Sequence, residues 1–233
     1  MENKNYLIIG GSYGIGSGIV EILAAQNANV YIASRTKEAI PELPNVHHQT
    51  IDILEDEIQL ELPETLHGVV YCPGSANFKP FRSAKPAHFR EALEVNLIGA
   101  VKVLQLTQKV LSKTKNASVL LFSTVAVGQG MPYHATVASA KGAVEGLVKT
   151  LAAEWAPKVR VNCIAPSLTD TPLVGRLLST DEKREASGNR HPLKRVGTVK
   201  DMAETACFLL SEKSSWITGQ VIGVDGGMSK LRI

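Results

Sequence analysis

The chain is poor in the features that mark several large classes of protein. It has no run of five or six like charges, and 25 Lys and Arg against 22 Asp and Glu leave a formal charge of only +3. Neither a nucleic-acid arm nor a polybasic membrane patch is therefore expected. No apolar stretch approaches the length of a membrane span, and Met1-Glu2-Asn3-Lys4-Asn5 runs straight into the strand-like Tyr6-Leu7-Ile8-Ile9. That leaves no room for a signal peptide and points to the cytoplasm. The three cysteines, Cys72, Cys163 and Cys207, are widely spaced and set among apolar residues, so they read as buried free thiols and not as disulfides or metal ligands. His47 and His48 are adjacent on a strand-like segment, where their side chains point to opposite faces, so no metal site is expected. Linkers, internal repeats and low-complexity tracts are missing too, and residues 1–233 read as one domain with a large core.

What is present is a rhythm. Short apolar runs at Tyr6–Ile9, Val30–Ala33, Val46–Thr50, Gly68–Tyr71, Ser118–Phe122 and Val159–Ile164 alternate with longer amphipathic segments. This predicts a Rossmann-type, doubly wound α/β fold: a parallel sheet with helices on both faces. The main helices are expected over Gly14–Gln26, Pro86–Lys113, Thr136–Glu154 and Val199–Leu210, with a last strand near Gln220–Val224. In the third helix, Ala140, Val144, Leu147 and Leu151 form an apolar stripe suited to the sheet, to a partner subunit, or to both. The polar stretch Leu168–His191 reads as a mobile flap over the site.

The first strand ends in Gly10-Gly11-Ser12-Tyr13-Gly14-Ile15-Gly16, directly before a helix-compatible run. A glycine-rich turn there lets the backbone approach a pyrophosphate, whose charge the helix N–H groups stabilise. After the second strand comes Ala33-Ser34-Arg35-Thr36. An acidic residue at that strand end would favour NAD, whereas Arg can fork onto a 2′-phosphate. Arg35, with Lys37 as a weaker helper, therefore points to NADP(H), with NAD(H) possible.

These motifs resemble the short-chain dehydrogenase/reductase family, and the resemblance runs from Leu7 to Gly227. The family's T-G-x-x-x-G-x-G has its glycines at Gly10, Gly14 and Gly16, with Ile9 in place of Thr. By this resemblance the turn residues Gly10, Ser12, Tyr13, Gly14, Ile15 and Gly16 would hold the dinucleotide, and Ser34 and Arg35 would meet its ribose end. Asp52-Ile53 would lie at the adenine. Tyr71-Cys72-Pro73-Gly74 stands where the family has N-N-A-G, and only Gly74 matches. Asn96 matches the helix Asn that holds a water near the family's Lys, and Lys141 matches the Lys that grips the nicotinamide ribose. Asn162…Pro166-Ser167-Leu168…Thr171 resembles N-x-x-x-P-G-x-x-x-T, so Pro166, Leu168 and Thr171 would lie at the nicotinamide, with Ser167 in place of Gly. Pro192–Gly197 and Ile217–Gly227 resemble the family's ending, which implies a homodimer or homotetramer.

Family members move a hydride at the nicotinamide while a Tyr, helped by the Lys cation and a Ser hydroxyl, moves the proton. The Ser position is Thr124 in this chain, and the Tyr position, four before Lys141, is Val137. Valine cannot exchange a proton. Three readings follow: Tyr133 or His134, on the loop just before, replaces the phenol; Thr124 and ordered water suffice for a less demanding substrate such as an activated double bond; or catalysis is lost and the chain binds a dinucleotide or a partner. The expected function is an NADP(H)-dependent oxidoreductase acting on a small carbonyl, alcohol or activated double bond, with Asn96, Thr124, Tyr133 and Lys141 as the catalytic candidates. The alternative is a catalytically impaired regulatory binding protein.

Overall fold

The structure, a computed structural model, describes residues 1–37, 40 and 42–232. The element order is β1 (Asn5–Ile9), α1 (Gly14–Ala25), β2 (Asn29–Ser34), β3 (Val46–Thr50), β4 (Gly68–Tyr71), α2 (Pro86–Leu93), α3 (Gly99–Leu111), β5 (Ala117–Phe122), α4 (Ala126–Gln129), α5 (Ala135–Trp155), β6 (Val159–Pro166), α6 (Asp181–Asn189), α7 (Val199–Leu210) and β7 (Val221–Val224). The strands form one sheet in the order β3-β2-β1-β4-β5-β6-β7. Every pairing is parallel; Leu7, for example, lies between Tyr31 and Val69. The direction of winding reverses between β1 and β4, and that reversal leaves a crevice at the carboxyl ends of the strands.

Two cores account for the apolar runs. Leu7 and Ile9 face one side of the sheet with Val69, Val119 and Val161, against Val103 and Leu104 of α3 and Val144 and Val148 of α5. Tyr6 and Ile8 face the other side with Ile32, Val70 and Leu120, against Ile19 and Leu23 of α1 and Ala206 and Leu209 of α7. Strands covered on both faces lose the usual apolar/polar alternation. Each such Leu, Ile or Val contributes about 1.5–3 kcal/mol on burial.

One expectation changes and two gain detail. The helix expected over Pro86–Lys113 is interrupted by a π-helical turn at Glu94–Ile98, with Gly99 N–H bonded to Glu94 O. Tyr71, in one of the lost family Asn positions, donates its hydroxyl to Val95 O at 2.6 Å within this turn. In α5 the fully buried stripe runs through Val137, Ala140, Lys141, Val144, Val148, Ala152 and Trp155, while Leu147 and Leu151 lie at its half-buried edge. The polar stretch after Leu168 is built from a 3-10 segment, Pro172–Leu178, and from α6. Thr180 caps α6 by accepting from Lys183 N, and Asp170 pairs with Arg184.

Asn3, Asn27 and Asn116 adopt left-handed backbone conformations with φ of 56°, 57° and 60°. Each stands one or two residues before a strand, at the amino-terminal rim of the sheet. Asn tolerates this region better than other non-glycine residues.

Candidate functional site

The glycine turn is shaped by close approach. A Cβ on Gly16 would sit 2.2 Å from Gly10 O, so no larger residue fits where α1 starts. Gly10 itself has φ +74° and donates its N–H to Ala33 O at 2.9 Å. The first turn of α1 has no side-chain cap and no acidic residue. Its free N–H groups and the positive end of the helix therefore face a cleft of ≈ 380 Å³, an arrangement suited to an anion.

That cleft is lined by Gly10, Ser12, Tyr13, Gly14, Ile15 and Gly16 from the turn, Ser34 and Arg35 after β2, Asp52 and Ile53 after β3, and Gly74 and Thr171. Arg35 is exposed. The Ser34 hydroxyl is already engaged, donating to Thr36 O at 2.7 Å beside His48 Nε2, and Asp52 Oδ1 accepts from Leu54 N at 3.0 Å. Lys37 is exposed and outside the cleft lining. Cys72, expected to be buried, is only half-buried and lies where this cleft meets the next.

The second cavity, ≈ 500 Å³, is lined by Thr124, Tyr133, Val137, Lys141, Pro166 and Leu168 among others, and it shares Ile15, Gly74, Thr171 and Leu173 with the first. Asn96, in the π-helical turn, is buried; its Nδ2 donates to Ala92 O at 2.7 Å and to Ser75 Oγ at 3.0 Å. Its Oδ1 is buried with no partner among the described residues. A methyl group placed on Gly74 would lie 3.4 Å from this Oδ1 and 3.6 Å from Lys141 Nζ. The two groups thus flank one small space at the junction of the cavities. Lys141 is 7% exposed; burial pushes its ammonium down to about 8, with Cys163 and Cys72 opposing. The junction fits a hydroxyl-rich group that both donates and accepts: an orphaned acceptor stands on one side and a partly desolvated ammonium on the other.

Val137 is 7% exposed and lines the second cavity one helical turn before Lys141. Tyr133, its proposed substitute, sits at the cavity rim, 60% exposed, with φ +70°. His134 packs against Phe78 in a tilted arrangement, ring centroids 4.5 Å apart, and its Nδ1 lies 2.7 Å from Pro132 O. Thr124 is half-buried and accepts from Ala126 N at 3.3 Å, so its own O–H remains free to donate. Sequence reasoning missed a further pair on this cavity: Ser167 Oγ lies 2.8 Å from His191 Nε2. Serine in a glycine position was the only signal for it.

No helix among the described residues is long and apolar enough to cross a membrane. The family model described as Enoyl-(Acyl carrier protein) reductase matches residues 10–229. A tropinone reductase homolog of Arabidopsis thaliana is 32% identical over 250 residues, covering 98% of this chain and 94% of the relative. Among solved structures, a short-chain type dehydrogenase/reductase from Mycobacterium ulcerans superposes with a TM-score of 0.86 at 28% identity, over 100% of this chain and 92% of that one. ElxO with NADP bound superposes with a TM-score of 0.87 at 25% identity, over 98% of this chain and 100% of that one.

Proposed function

The chain belongs to the short-chain dehydrogenase/reductase family, and on that premise we propose that it is a cytoplasmic, homo-oligomeric, single-domain NADP(H)-dependent oxidoreductase acting on a small carbonyl, alcohol or activated double bond. The observation that carries the reading is that Lys141 Nζ and the orphaned Asn96 Oδ1 flank the same space beside Gly74, where the two cavities meet. A buried ammonium and an unsatisfied buried carbonyl oxygen are costly to maintain without a ligand. A nicotinamide ribose, with hydroxyls that both donate and accept, satisfies them together.

In this reading the amides of Ser12 to Gly16 hold the pyrophosphate, Arg35 forks onto the 2′-phosphate, and Ser34, Asp52 and Ile53 enclose the adenosine. Pro166, Leu168 and Thr171 face the nicotinamide end. When bound, the nicotinamide supplies or accepts a hydride at its ring. Lys141 fixes the sugar and adds positive charge beside the reacting carbonyl, while the free Thr124 hydroxyl polarises the substrate oxygen. Tyr133, at the rim, is a candidate contact for the substrate's outer end. The bound NADP of ElxO supports the cofactor assignment.

Titration with NADPH and NADH, followed by turnover on a panel of ketones, aldehydes, imines and enones, tests the proposal. Tighter binding of NADPH and its oxidation by at least one class are expected. Equal affinity for the two removes the role of Arg35. Binding without turnover on any substrate establishes the impaired, binding-only alternative.

A further inference from the structure

This inference rests on the oxidoreductase reading and concerns the proton that residue 137 cannot supply. The carboxyl ends of β5 and β6 lie side by side, with Phe122 paired to Ile164 and Val125 N–H donating to Pro166 O at 3.1 Å. Ser167 therefore emerges beside Thr124, and both line the ≈ 500 Å³ cavity with Lys141. On the far side of Ser167 stands His191, which is 3% exposed. Its Nε2 lies 2.8 Å from Ser167 Oγ, and its Nδ1 lies 2.9 Å from Ser187 O.

A carbonyl oxygen only accepts, so Nδ1 carries a hydrogen. In the neutral ring Nε2 is then the acceptor, and the Ser167 hydroxyl donates to it. This is a hydroxyl against a base, with the base oriented by a third group, at hydrogen-bond distance. The charged groups around the imidazole are Asp225 of the loop after β7, Arg195 and Asp201 across a small cavity of ≈ 110 Å³, and the neighbouring Arg190. Arg195 and Asp201 are already paired with each other at 2.6 and 2.9 Å, which leaves Asp225 to balance a charge on His191. Among the other hydroxyls lining this cavity, Ser123 is 5% exposed with its proton held on Glu145 Oε1 at 2.6 Å, Thr124 accepts from Ala126 N, and Tyr133 is largely in solvent.

We propose that Ser167 and His191 form a hydroxyl–imidazole relay that carries the proton to and from the substrate oxygen, in place of a phenol at residue 137. In the reducing direction, with a bound reduced nicotinamide to supply the hydride pair to the carbonyl carbon, the substrate oxygen would take the Ser167 hydroxyl proton. The Ser167 oxygen takes the Nε2 proton of protonated His191, leaving a neutral ring with Nδ1–H still on Ser187 O. Oxidation runs the same steps in reverse, so one hydride and one proton move together.

The test begins with ¹⁵N NMR of the ligand-free protein, in which neutral His191 is expected to be the Nδ1–H tautomer; an Nε2–H tautomer overturns the relay. Ser167→Ala is then expected to lower kcat about 100-fold or more, with the Kd for NADPH and the KM for substrate unchanged and a reduced solvent deuterium isotope effect. Ser167→Thr, which keeps the hydroxyl, restores the rate. If Ser167→Ala turns over at the wild-type rate, the relay is overturned and the oxidoreductase reading stands. Wild-type protein that binds NADPH yet oxidises none of it with any ketone, aldehyde, imine or enone of the panel overturns both.

Discussion

Replacing Lys141 by methionine should make the protein more stable while destroying its site. The Lys141 ammonium is held in a pocket that pulls its pKa from 10.5 to about 8, chiefly through burial. At about 1.4 kcal/mol for each pH unit, keeping this group charged at pH 7 costs about 3 kcal/mol of folding free energy. The unfolded chain keeps the proton up to its ordinary pKa, whereas the folded chain releases it near 8. Between those values the unfolded state binds more protons, so stability rises with pH across that window and is constant for this group outside it. Lys141→Met keeps most of the side-chain volume and removes the charge. Urea unfolding at pH 7 is expected to show a gain of about 1–3 kcal/mol, less than the full electrostatic cost because packing is imperfect. The wild-type rise between pH 8 and 10.5 should be missing from the variant, and NADPH binding should be lost. A variant less stable than wild type at pH 7, or one with the same pH slope, would refute the claim that an unfavourable buried charge is maintained here.

Two further substitutions probe the cofactor and the missing phenol. Arg35→Ala is expected to weaken NADPH binding roughly tenfold or more, the size of a lost charge-assisted fork, while NADH binding stays the same; fluorescence titration with both nucleotides measures it, and a parallel loss for both would remove the 2′-phosphate role. Val137→Tyr, made in the Ser167→Ala background, places a phenol one helical turn from Lys141 on the cavity wall. It is expected to recover turnover by about 100-fold; no recovery, in a variant that still binds NADPH, would mean that residue 137 does not address the reacting oxygen.

The central strands were legible because sheet burial on both faces turns them into apolar runs, and β4 and the carboxyl end of β1 fall where the sequence puts them, as does the half-buried edge strand β3. The π-helical turn at Glu94–Ile98 was not legible: a shift from i+4 to i+5 bonding alters one hydrogen bond and leaves composition unchanged. In α5 the expected Ala140 and Val144 are fully buried and Leu147 and Leu151 pack half-buried against the core, while Val148 and Ala152 extend the stripe. α6 escaped detection because it is almost wholly exposed and carries no apolar period, although Thr180-Asp181-Glu182 is a helix-start pattern. The glycine turn was readable, since glycine is required there by backbone contact. Ser167 and His191 were not paired by sequence, because 24 residues and a helix separate them.

The three left-handed asparagines have a practical consequence. Asn3, Asn27 and Asn116 close tight connections at the rim opposite both cavities, and none of the three lines either one. A fluorescent label or short peptide grafted after Asn27 or Asn116 would report on folding from the end of the sheet away from both cavities.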